Sequence, residues 1–298
     1  MSDLRGFTSM MEERDAEEVV LLLNQYLGRM SEIILGYDGT IDEFIGDGIL
    51  AVFGVPEKQL DDAARAVACA LSMQNALQQL NDEIISEGYP VLEMGIAVNT
   101  GSAIVGNIGS RARTKYGIVG VVVNRAARIE SNAVGGDVLM GEETYRLVSG
   151  SVTTDPPRSV MMKGLKTPLV YYAITAISDP YNVALNRRTE SKKGVEIHLP
   201  FHYWKVDGKN IVGDPLRGET SIFRENLITA AISPPLEPMT DIKLIFDFCQ
   251  EAHCFEDIYA KVMPVGEDGQ KSVTHHLRIT SMNQEDKDII NRWIEEVS

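Results

Sequence analysis

The chain has 298 residues, 44% of them hydrophobic, which is enough to build the cores of two ordinary domains. Its formal net charge of −15 argues against nucleic acid or an anionic membrane as a partner, because both attract basic surfaces. Three cysteines without metal-like spacing, no run of about 18 apolar residues and no signal-peptide pattern predict a soluble protein of the reducing cytoplasm.

The first part of the chain alternates helical and strand patterns. Apolar residues recur at helical spacing over 17–36, and a second helical pattern covers 61–85. Between them, residues 41–53 (Ile-Asp-Glu-Phe-Ile-Gly-Asp-Gly-Ile-Leu-Ala-Val-Phe) predict a hairpin with a tight turn at Asp47. A βααββαβ order is completed by strands over 91–99 and 102–108, a polar loop over 110–120, a helix over 123–130, and further strands up to 175.

The pattern changes after residue 176. Ser178-Asp-Pro180 and the polar run over 186–193 predict a linker that covers 177–193. From residue 194 to 298, short β-rich runs precede a helical pattern at 285–296. This order is typical of a small β-barrel with a C-terminal helix. We therefore expect an α+β chain with two domains, 1–176 and 194–298.

Two acidic residues of the first domain stand in short turns. Asp3 belongs to Ser2-Asp-Leu-Arg-Gly-Phe-Thr8, and Asp47 is flanked by glycines. Two carboxylates from separate loops suit a hard divalent ion such as Mg²⁺, which keeps its other positions free for phosphate oxygens. Asn124 and Arg128 are four residues apart and share one face of a predicted helix. Together these residues predict a metal-assisted site for a phosphorylated ligand.

Four segments in chain order resemble the catalytic domain of class III nucleotide cyclases, over residues 2–175. The resemblance implies a ferredoxin-like-derived fold. It also implies attack of a ribose 3′-hydroxyl on the α-phosphate of a nucleoside triphosphate, with release of pyrophosphate. The matching segments are Ser2-Asp-Leu-Arg-Gly-Phe-Thr8, Glu43-Phe-Ile-Gly-Asp47, Gly106-Asn-Ile-Gly109 and Val123-Asn-Arg-Ala-Ala-Arg128.

The resemblance assigns a metal role to the two loops. Asp3, with Leu4, and Asp47 would hold two Mg²⁺ or Mn²⁺ ions per site. The β- and γ-phosphates would accept hydrogen bonds from backbone amides that follow the first carboxylate. These amides belong to Leu4, Gly6, Phe7 and Thr8.

Other residues would act on the ribose and the phosphates. Asn124 would orient the ribose, and Arg128 would offset negative charge at the α-phosphate. Either Lys163 or Lys166 would reach the triphosphate. In this family the metal loops and the Asn/Arg helix of one site come from opposite subunits, so one chain that carries both predicts a homodimer with two shared sites.

Two positions choose the base in this family, and here they are Glu43 and Gly117. A glutamate can accept hydrogen bonds from guanine N1–H and the 2-amino group, whereas adenine offers neither donor at those positions. Gly117 offers no side chain to guanine O6. The pair predicts GTP as substrate and cyclic GMP as product, with an adenylate cyclase that makes cyclic AMP as the alternative.

The family also has a strand before the first metal loop, and this sequence begins at Met1. Three explanations are open: the chain is a fragment, its start is misplaced, or an upstream sensor domain has been removed. In each case we expect Asp3 at a frayed terminus, and an upstream sensor domain or a partner protein could accompany the chain. A non-catalytic dimerisation or nucleotide-binding module is the alternative if the metal site is disabled.

The C-terminal domain resembles, more faintly, a PilZ domain, which typically binds cyclic di-GMP. Two PilZ motifs appear in altered form, as Arg188-Thr-Glu-Ser-Lys192 and Glu219-Thr-Ser-Ile-Phe-Arg224. Glu219 places negative charge where phosphates would bind, and Arg224 replaces a glycine. We therefore expect a degenerate PilZ-like barrel that supports protein contacts or the dimer in preference to cyclic di-GMP binding.

Overall fold

The structure is a computed structural model of the chain. It divides into two compact units, Met1–Asn186 and Arg187–Ser298. Among the described residues, no helix is both long and apolar enough to cross a membrane. The structure describes residues 1–7, 14–161, 167–186, 194–207, 210–224, 227–247, 249–250, 253–255, 258–263, 274–283, 285–286, 289–290 and 292.

The first unit is built on one mixed sheet with the strand order β11-β10-β7-β4-β1-β3-β2. Its first elements are β1 (Ser2–Leu4), α1 (Ala16–Gly36), β2 (Thr40–Ile45), β3 (Gly48–Val52), α2 (Asp62–Ser86) and β4 (Met94–Val98). A separate hairpin follows, made of β5 (Ile104–Gly109) and β6 (Thr114–Val119). The remaining elements are α3 (Val121–Glu130), β7 (Val138–Gly141), α4 (Glu142–Val148), β8 (Val152–Thr154), β9 (Arg158–Val160), β10 (Leu169–Ile177) and β11 (Val183–Ala184).

Helix α1 shows how the sequence builds this core. The Asp15 carboxylate caps its first turn by accepting a hydrogen bond from the Glu17 amide at 2.9 Å. Its buried residues recur every three or four positions, so they form one apolar face that joins the core shared with α2 and the sheet. These buried residues are Val19, Leu22, Tyr26, Met30 and Ile34.

The expectation of a frayed Asp3 is wrong. Asp3 lies in β1, which pairs with β3 on one side and with β4 on the other. Asp3 is opposite Gly95, and Leu4 is buried in the core. The Met1 amino group donates to the Ala97 carbonyl oxygen at 2.9 Å, which ties down the start of the strand. Pairing with two neighbours therefore supports Asp3, although β1 has only three residues.

The predicted polar loop over 110–120 is also wrong in part, because Thr114–Val119 form strand β6. Its register places Gly106 opposite Gly117. Most residues of this hairpin are exposed, so the sequence lacks the alternation of buried and exposed residues that marks a half-buried strand.

The second unit contains a closed barrel, as the strand pattern predicted. Six strands pair in the ring β14-β13-β16-β19-β20-β15, and β15 closes it by pairing with β14. Phe246 lies at the centre of an aromatic core that includes Phe201, Phe223 and Phe255. The strands of this unit are β12 (Val195–Glu196), β13 (Pro200–Asp207), β14 (Asn210–Arg224), β15 (Leu227–Ile232), β16 (Asp241–Phe246), β17 (Cys249–Gln250), β18 (His253–Cys254), β19 (Ile258–Met263) and β20 (Thr274–Ser281).

The terminal helix is described only in part. Residues 285, 286, 289, 290 and 292 are helical, and the rest of the predicted span lies outside the described residues. Ile289 and Ile290 pack into the core of the barrel unit. The likeness to PilZ domains stays a prediction.

Candidate active site

The hairpin between β2 and β3 delivers Asp47 to the edge of β1. Ile45 pairs with Gly48, so Gly46 and Asp47 form a two-residue turn, and Gly46 has the positive φ of 64° that such a turn requires. A Cβ on Gly48 would lie 3.0 Å from the Ser2 carbonyl oxygen and 3.1 Å from Asp3 Oδ1. The glycine therefore lets the turn approach β1 closely. As a result, the Leu4 amide donates a hydrogen bond to Asp47 Oδ2 at 3.1 Å.

The structure brings the two predicted metal ligands together. Partial burial, together with the neighbouring carboxylates of Asp47 and Glu130, raises the pKa of Asp3 to about 7, although the Arg5 guanidinium opposes the shift. The Asp3 side chain is still 40% exposed, so an ion can reach it. Two adjacent carboxylates with excess negative charge fit a divalent cation.

The carboxylate pair is not a complete metal cage. Within the described part of the chain, no cluster of three or more His, Cys, Asp or Glu residues could hold a metal. A pair of carboxylates is what Mg²⁺ needs when phosphate oxygens and water supply its other ligands. The residues present therefore fit a metal that arrives with a nucleotide.

The phosphate-binding amides are fewer than the sequence predicted. The Leu4 amide is used by Asp47, and the Arg5 amide donates to the Glu93 carbonyl oxygen at 2.7 Å. Gly6 and Phe7 follow, and among the described residues no hydrogen bond engages their amides. Gly6 has a φ of 67°, which a side chain would disfavour. Two of the predicted amides are thus left for phosphate oxygens.

Asn124 and Arg128 lie on α3 at the predicted four-residue spacing. Asn124 is exposed and Arg128 is half-buried. In the described ranges, no hydrogen bond or ion pair engages either side chain, whereas Ala126 and Ile129 on the opposite face are buried. This helix face therefore presents an amide and a guanidinium that are free to bind a ligand.

An ion pair that the sequence did not reveal joins the first metal loop to α3. The Arg5 guanidinium pairs with the Glu130 carboxylate, and its Nη2 also donates to the Glu130 carbonyl oxygen at 3.0 Å. The two residues are 125 positions apart, so no local pattern links them.

The predicted base-selecting residue, Glu43, is also paired. Glu43 is exposed, and its Oε2 lies 2.9 Å from Lys115 Nζ, which is 3.7 Å from Asp42 Oδ2. The hydrogen bond to Glu43 raises the pKa of Lys115, so the ammonium group stays protonated at neutral pH. Gly117 is buried against β2, where a Cβ would lie 3.4 Å from Asp42 Oδ1. The sequence reasoning missed Lys115 and Asp42, because the side-chain contacts between β6 and β2 were not predicted.

Several predicted residues lie outside the described residues, so their roles stay predictions. They are Thr8, Lys163, Lys166, Arg188 and Lys192. In the barrel, the Glu219 carboxylate is exposed and lies 3.8 Å from His198 Nδ1.

Among the described residues, the elements from β1 to β4 follow a βαββαβ order, with one helix fewer than the predicted βααββαβ order. A carboxylate pair on this unit, beside a helix whose Asn and Arg side chains have no partner among the described residues, is the arrangement expected of a nucleotide cyclase catalytic domain. The family profile "Adenylate and Guanylate cyclase catalytic domain" matches residues 1–176, and the chain belongs to this family. Enzymes of the family generally use Mg²⁺ or Mn²⁺.

Solved structures similar to the chain include both substrate types. The guanylyl cyclase Cya2 is 49% identical with a TM-score of 0.60, over 62% of this chain and 93% of that chain. The adenylyl cyclase CyaB from P. aeruginosa is 37% identical with a TM-score of 0.55, over 58% of this chain and 90% of that chain. These names do not decide the substrate.

Among curated proteins, Adenylate cyclase 1 of Rhizobium meliloti (strain 1021) is 31% identical over 178 residues. The match covers 59% of this chain and 27% of that relative. The chain thus spans about a quarter of the length of this relative.

Proposed function

We propose that the first unit is a Mg²⁺- or Mn²⁺-dependent cyclase that converts GTP to 3′,5′-cyclic GMP and pyrophosphate. The single observation that carries this proposal is the contact between the Asp3 and Asp47 loops, where the Leu4 amide binds Asp47 Oδ2 at 3.1 Å. A direct test is pyrophosphate release from GTP with Mg²⁺ or Mn²⁺. An Asp47→Ala variant that releases pyrophosphate at the wild-type rate would refute the proposal.

In this mechanism the chain holds the nucleotide and offsets its charge. Two bound metal ions per site would lower the pKa of the ribose hydroxyl and neutralise the triphosphate. Asp3 and Asp47 would hold the cations, and the amides of Gly6 and Phe7 would bind phosphate oxygens. Asn124 orients the ribose so that its 3′-oxygen faces the α-phosphate.

Arg128 has a separate role from the metal ligands. Its guanidinium lies one helical turn from Asn124 and offsets the negative charge that grows on the α-phosphate. Among the described residues its side chain has no competing carboxylate partner, so its charge is available to the reaction.

We further propose a homodimer with two shared sites. The β2–β3 turn, the β5–β6 hairpin and the start of α3 expose apolar side chains, and such patches mark interaction surfaces. The exposed apolar residues are Phe44, Ile45, Ile104, Ile108, Tyr116, Val119 and Val121.

One cavity of about 840 Å³ opens in this unit. None of the four residues Asp3, Asp47, Asn124 and Arg128 lines this cavity, so it does not join them into one site.

Mixed variants test the sharing of sites. A heterodimer of Asp47→Ala and Arg128→Ala chains would keep one intact site, because each chain supplies what the other lacks. Random pairing gives half heterodimers with one site of two, so recovery should reach about a quarter of wild-type activity. A mixture no more active than its separate components would contradict site sharing.

Glu43 supports GTP as the preferred base. Its side chain is exposed, and a carboxylate can accept hydrogen bonds from guanine N1–H and the 2-amino group together. We expect cyclic GMP from GTP at no less than about ten times the rate of cyclic AMP from ATP. Lys115 supports the adenylate alternative, since it places a cation 2.9 Å from Glu43. Equal rates from both nucleotides would overturn the assignment of Glu43.

The structure also bears on the non-catalytic alternative. That reading depended on an unsupported Asp3, and β1 instead holds Asp3 between two strands. Pyrophosphate release by the wild-type chain, abolished by Asp47→Ala, separates the enzyme from a binding module.

A further inference from the structure

We propose that the Arg5–Glu130 ion pair is a positioning element that holds the metal-binding strand end and α3 at one fixed spacing, and thereby couples the two active sites of the dimer. This inference rests on the proposed function, because coupling requires that one chain serve two sites.

The ion pair touches both halves of the catalytic machinery. Arg5 stands two residues after Asp3, and its Nη1 lies 3.8 Å from Asp3 Oδ2. Its Nη2 binds the carboxylate of Glu130 and, at 3.0 Å, the Glu130 carbonyl oxygen. Glu130 is the last residue of α3 and stands two residues after Arg128. A single guanidinium thus contacts a proposed metal ligand and the end of the helix that carries Arg128.

The pair is buried, unlike most surface ion pairs. The Arg5 side chain is 15% exposed and the Glu130 side chain is 8% exposed. Loss of one partner would leave the other charged and poorly solvated, so the pair resists separation. An exposed ion pair would have little power to hold two elements together.

Strand β4 is shaped to accommodate Arg5. A Cβ on Gly95 would collide with the Arg5 guanidinium, so glycine leaves room for the side chain to cross the strand toward α3. The Arg5 amide also donates to the Glu93 carbonyl oxygen at 2.7 Å, which fixes the backbone from which the side chain departs. Three elements, β1, β4 and α3, are therefore built around one arginine.

Coupling follows from competition for this guanidinium. Asp3 and Glu130 are both carboxylates, and Arg5 lies between them. When a cation is bound at Asp3, the arginine is left to Glu130 and α3 is held more firmly. In the shared-site dimer, Asp3 of one chain serves one site while α3 of the same chain serves the other. Metal at one site therefore favours an ordered Arg128 at the second.

Heterodimers with a single working site provide the test. In a mixture of Asp47→Ala and Arg128→Ala chains, the intact site takes its carboxylates from the Arg128→Ala chain and its α3 from the Asp47→Ala chain. Glu130→Gln is then placed on either chain in turn. We expect a loss of no less than about fivefold at the surviving site in both placements. When Glu130→Gln is on the Asp47→Ala chain, which donates α3 to the intact site (the α3 donor), we expect a lower kcat. When it is on the Arg128→Ala chain, which donates the carboxylates (the carboxylate donor), we expect the site to need a higher Mn²⁺ concentration.

A second readout does not depend on turnover. Mn²⁺ binding to the nucleotide-free Arg128→Ala homodimer is measured by electron paramagnetic resonance, with and without Glu130→Gln. Without Glu130, Arg5 is left to pair with Asp3, so we expect the Mn²⁺ dissociation constant to rise about threefold or more. If Glu130→Gln does not fold, Glu130→Asp keeps the charge, shortens the reach and is measured in its place.

Arg65→Gln is the matched control, because Arg65 is another buried arginine, 2.6 Å from Asp62 Oδ1. It should lower the melting temperature without changing the Mn²⁺ requirement of the surviving site. An effect of Glu130→Gln on the α3 donor alone, with unchanged Mn²⁺ binding, would overturn the coupling. If the mixture of Asp47→Ala and Arg128→Ala chains without Glu130→Gln has no activity, the shared-site function is refuted. The effect of Glu130→Gln on Mn²⁺ binding would still test the role of the ion pair.

Discussion

The two units of the chain differ at one point in the balance of their charges. In the barrel, Lys261 Nζ lies 3.3 Å from Asp241 Oδ1, and His275 accepts a hydrogen bond from the Leu236 amide at 3.1 Å. In the first unit, Asp3 and Asp47 stand together, and among the described residues Asp3 alone of the two has a guanidinium nearby, at 3.8 Å. Charge left uncompensated at one place costs stability, which is typical of a site that binds a cation. Within the described part of the barrel, Lys261 and His275 show no such excess of like charge.

The largest expected difference between the units concerns an aspartate in each. Asp47→Ala should lower pyrophosphate release by about a thousandfold, because one of the two metal-binding carboxylates is lost. Asp247→Ala in the barrel removes a carboxylate 2.6 Å from His202 Nδ1 and should leave the rate within about twofold. The measurement is the initial rate with GTP and Mn²⁺. Equal losses in the two variants would remove the functional distinction between the units.

The next largest expected difference is between the effects of replacing a buried and an exposed phenylalanine by alanine. Phe246 is packed against three aromatic rings in the barrel, so Phe246→Ala should lower the free energy of unfolding by about 3–5 kcal/mol. Phe44 is 48% exposed beside the proposed dimer face. Phe44→Ala should weaken dimerisation in sedimentation experiments with little change in monomer stability. If Phe44→Ala instead lowers the stability of the fold without weakening the dimer, Phe44 contributes to the core and not to the dimer face.

Local sequence signals predicted the parts of the first unit that local chemistry determines. The Gly-Asp-Gly turn of Asp47 and the four-residue spacing of Asn124 and Arg128 are both present. Contacts between distant segments were not predictable, since the pairing of Arg5 with Glu130 and of Lys115 with Glu43 depends on which strands become neighbours. The short β-rich runs predicted a barrel, but the number of its strands and the ring that closes it depend on which segments pair.

A smaller change is expected in the preference for GTP over ATP when Glu43 is replaced. Glu43→Lys replaces the acceptor for guanine with a second cation beside Lys115, so the GTP preference should fall by about 5- to 150-fold. Arg217→Lys in the barrel is the control, because it exchanges one exposed cationic side chain, which donates to His202 Nε2 at 3.2 Å, for another. Product analysis with equal GTP and ATP gives the ratio. A ratio that is unchanged in Glu43→Lys would mean that other groups read the base.

The smallest expected effect is that of Asp3→Asn on the free energy of unfolding. It tests the electrostatic cost of placing the Asp3 and Asp47 carboxylates together. Because the pKa of Asp3 is raised to about 7 in the folded chain, the metal-free protein loses stability as the pH rises from about 4 to 7. Asp3→Asn stays neutral, so it should gain stability relative to wild type over that range. The side chain is 40% exposed, and solvent screening reduces the expected gain to about 1 kcal/mol.

Urea unfolding in the presence of a chelator measures this difference at each pH. Added Mn²⁺ should reverse it, since the cation stabilises the wild-type carboxylates and finds one ligand fewer in Asp3→Asn. A stability gain that shrinks as the pH rises would show that Asp3 is already compensated within the chain. The charge of Asp3 would then be compensated, like those of Lys261 and Asp241 in the barrel, and the argument for a cation at Asp3 and Asp47 would fail.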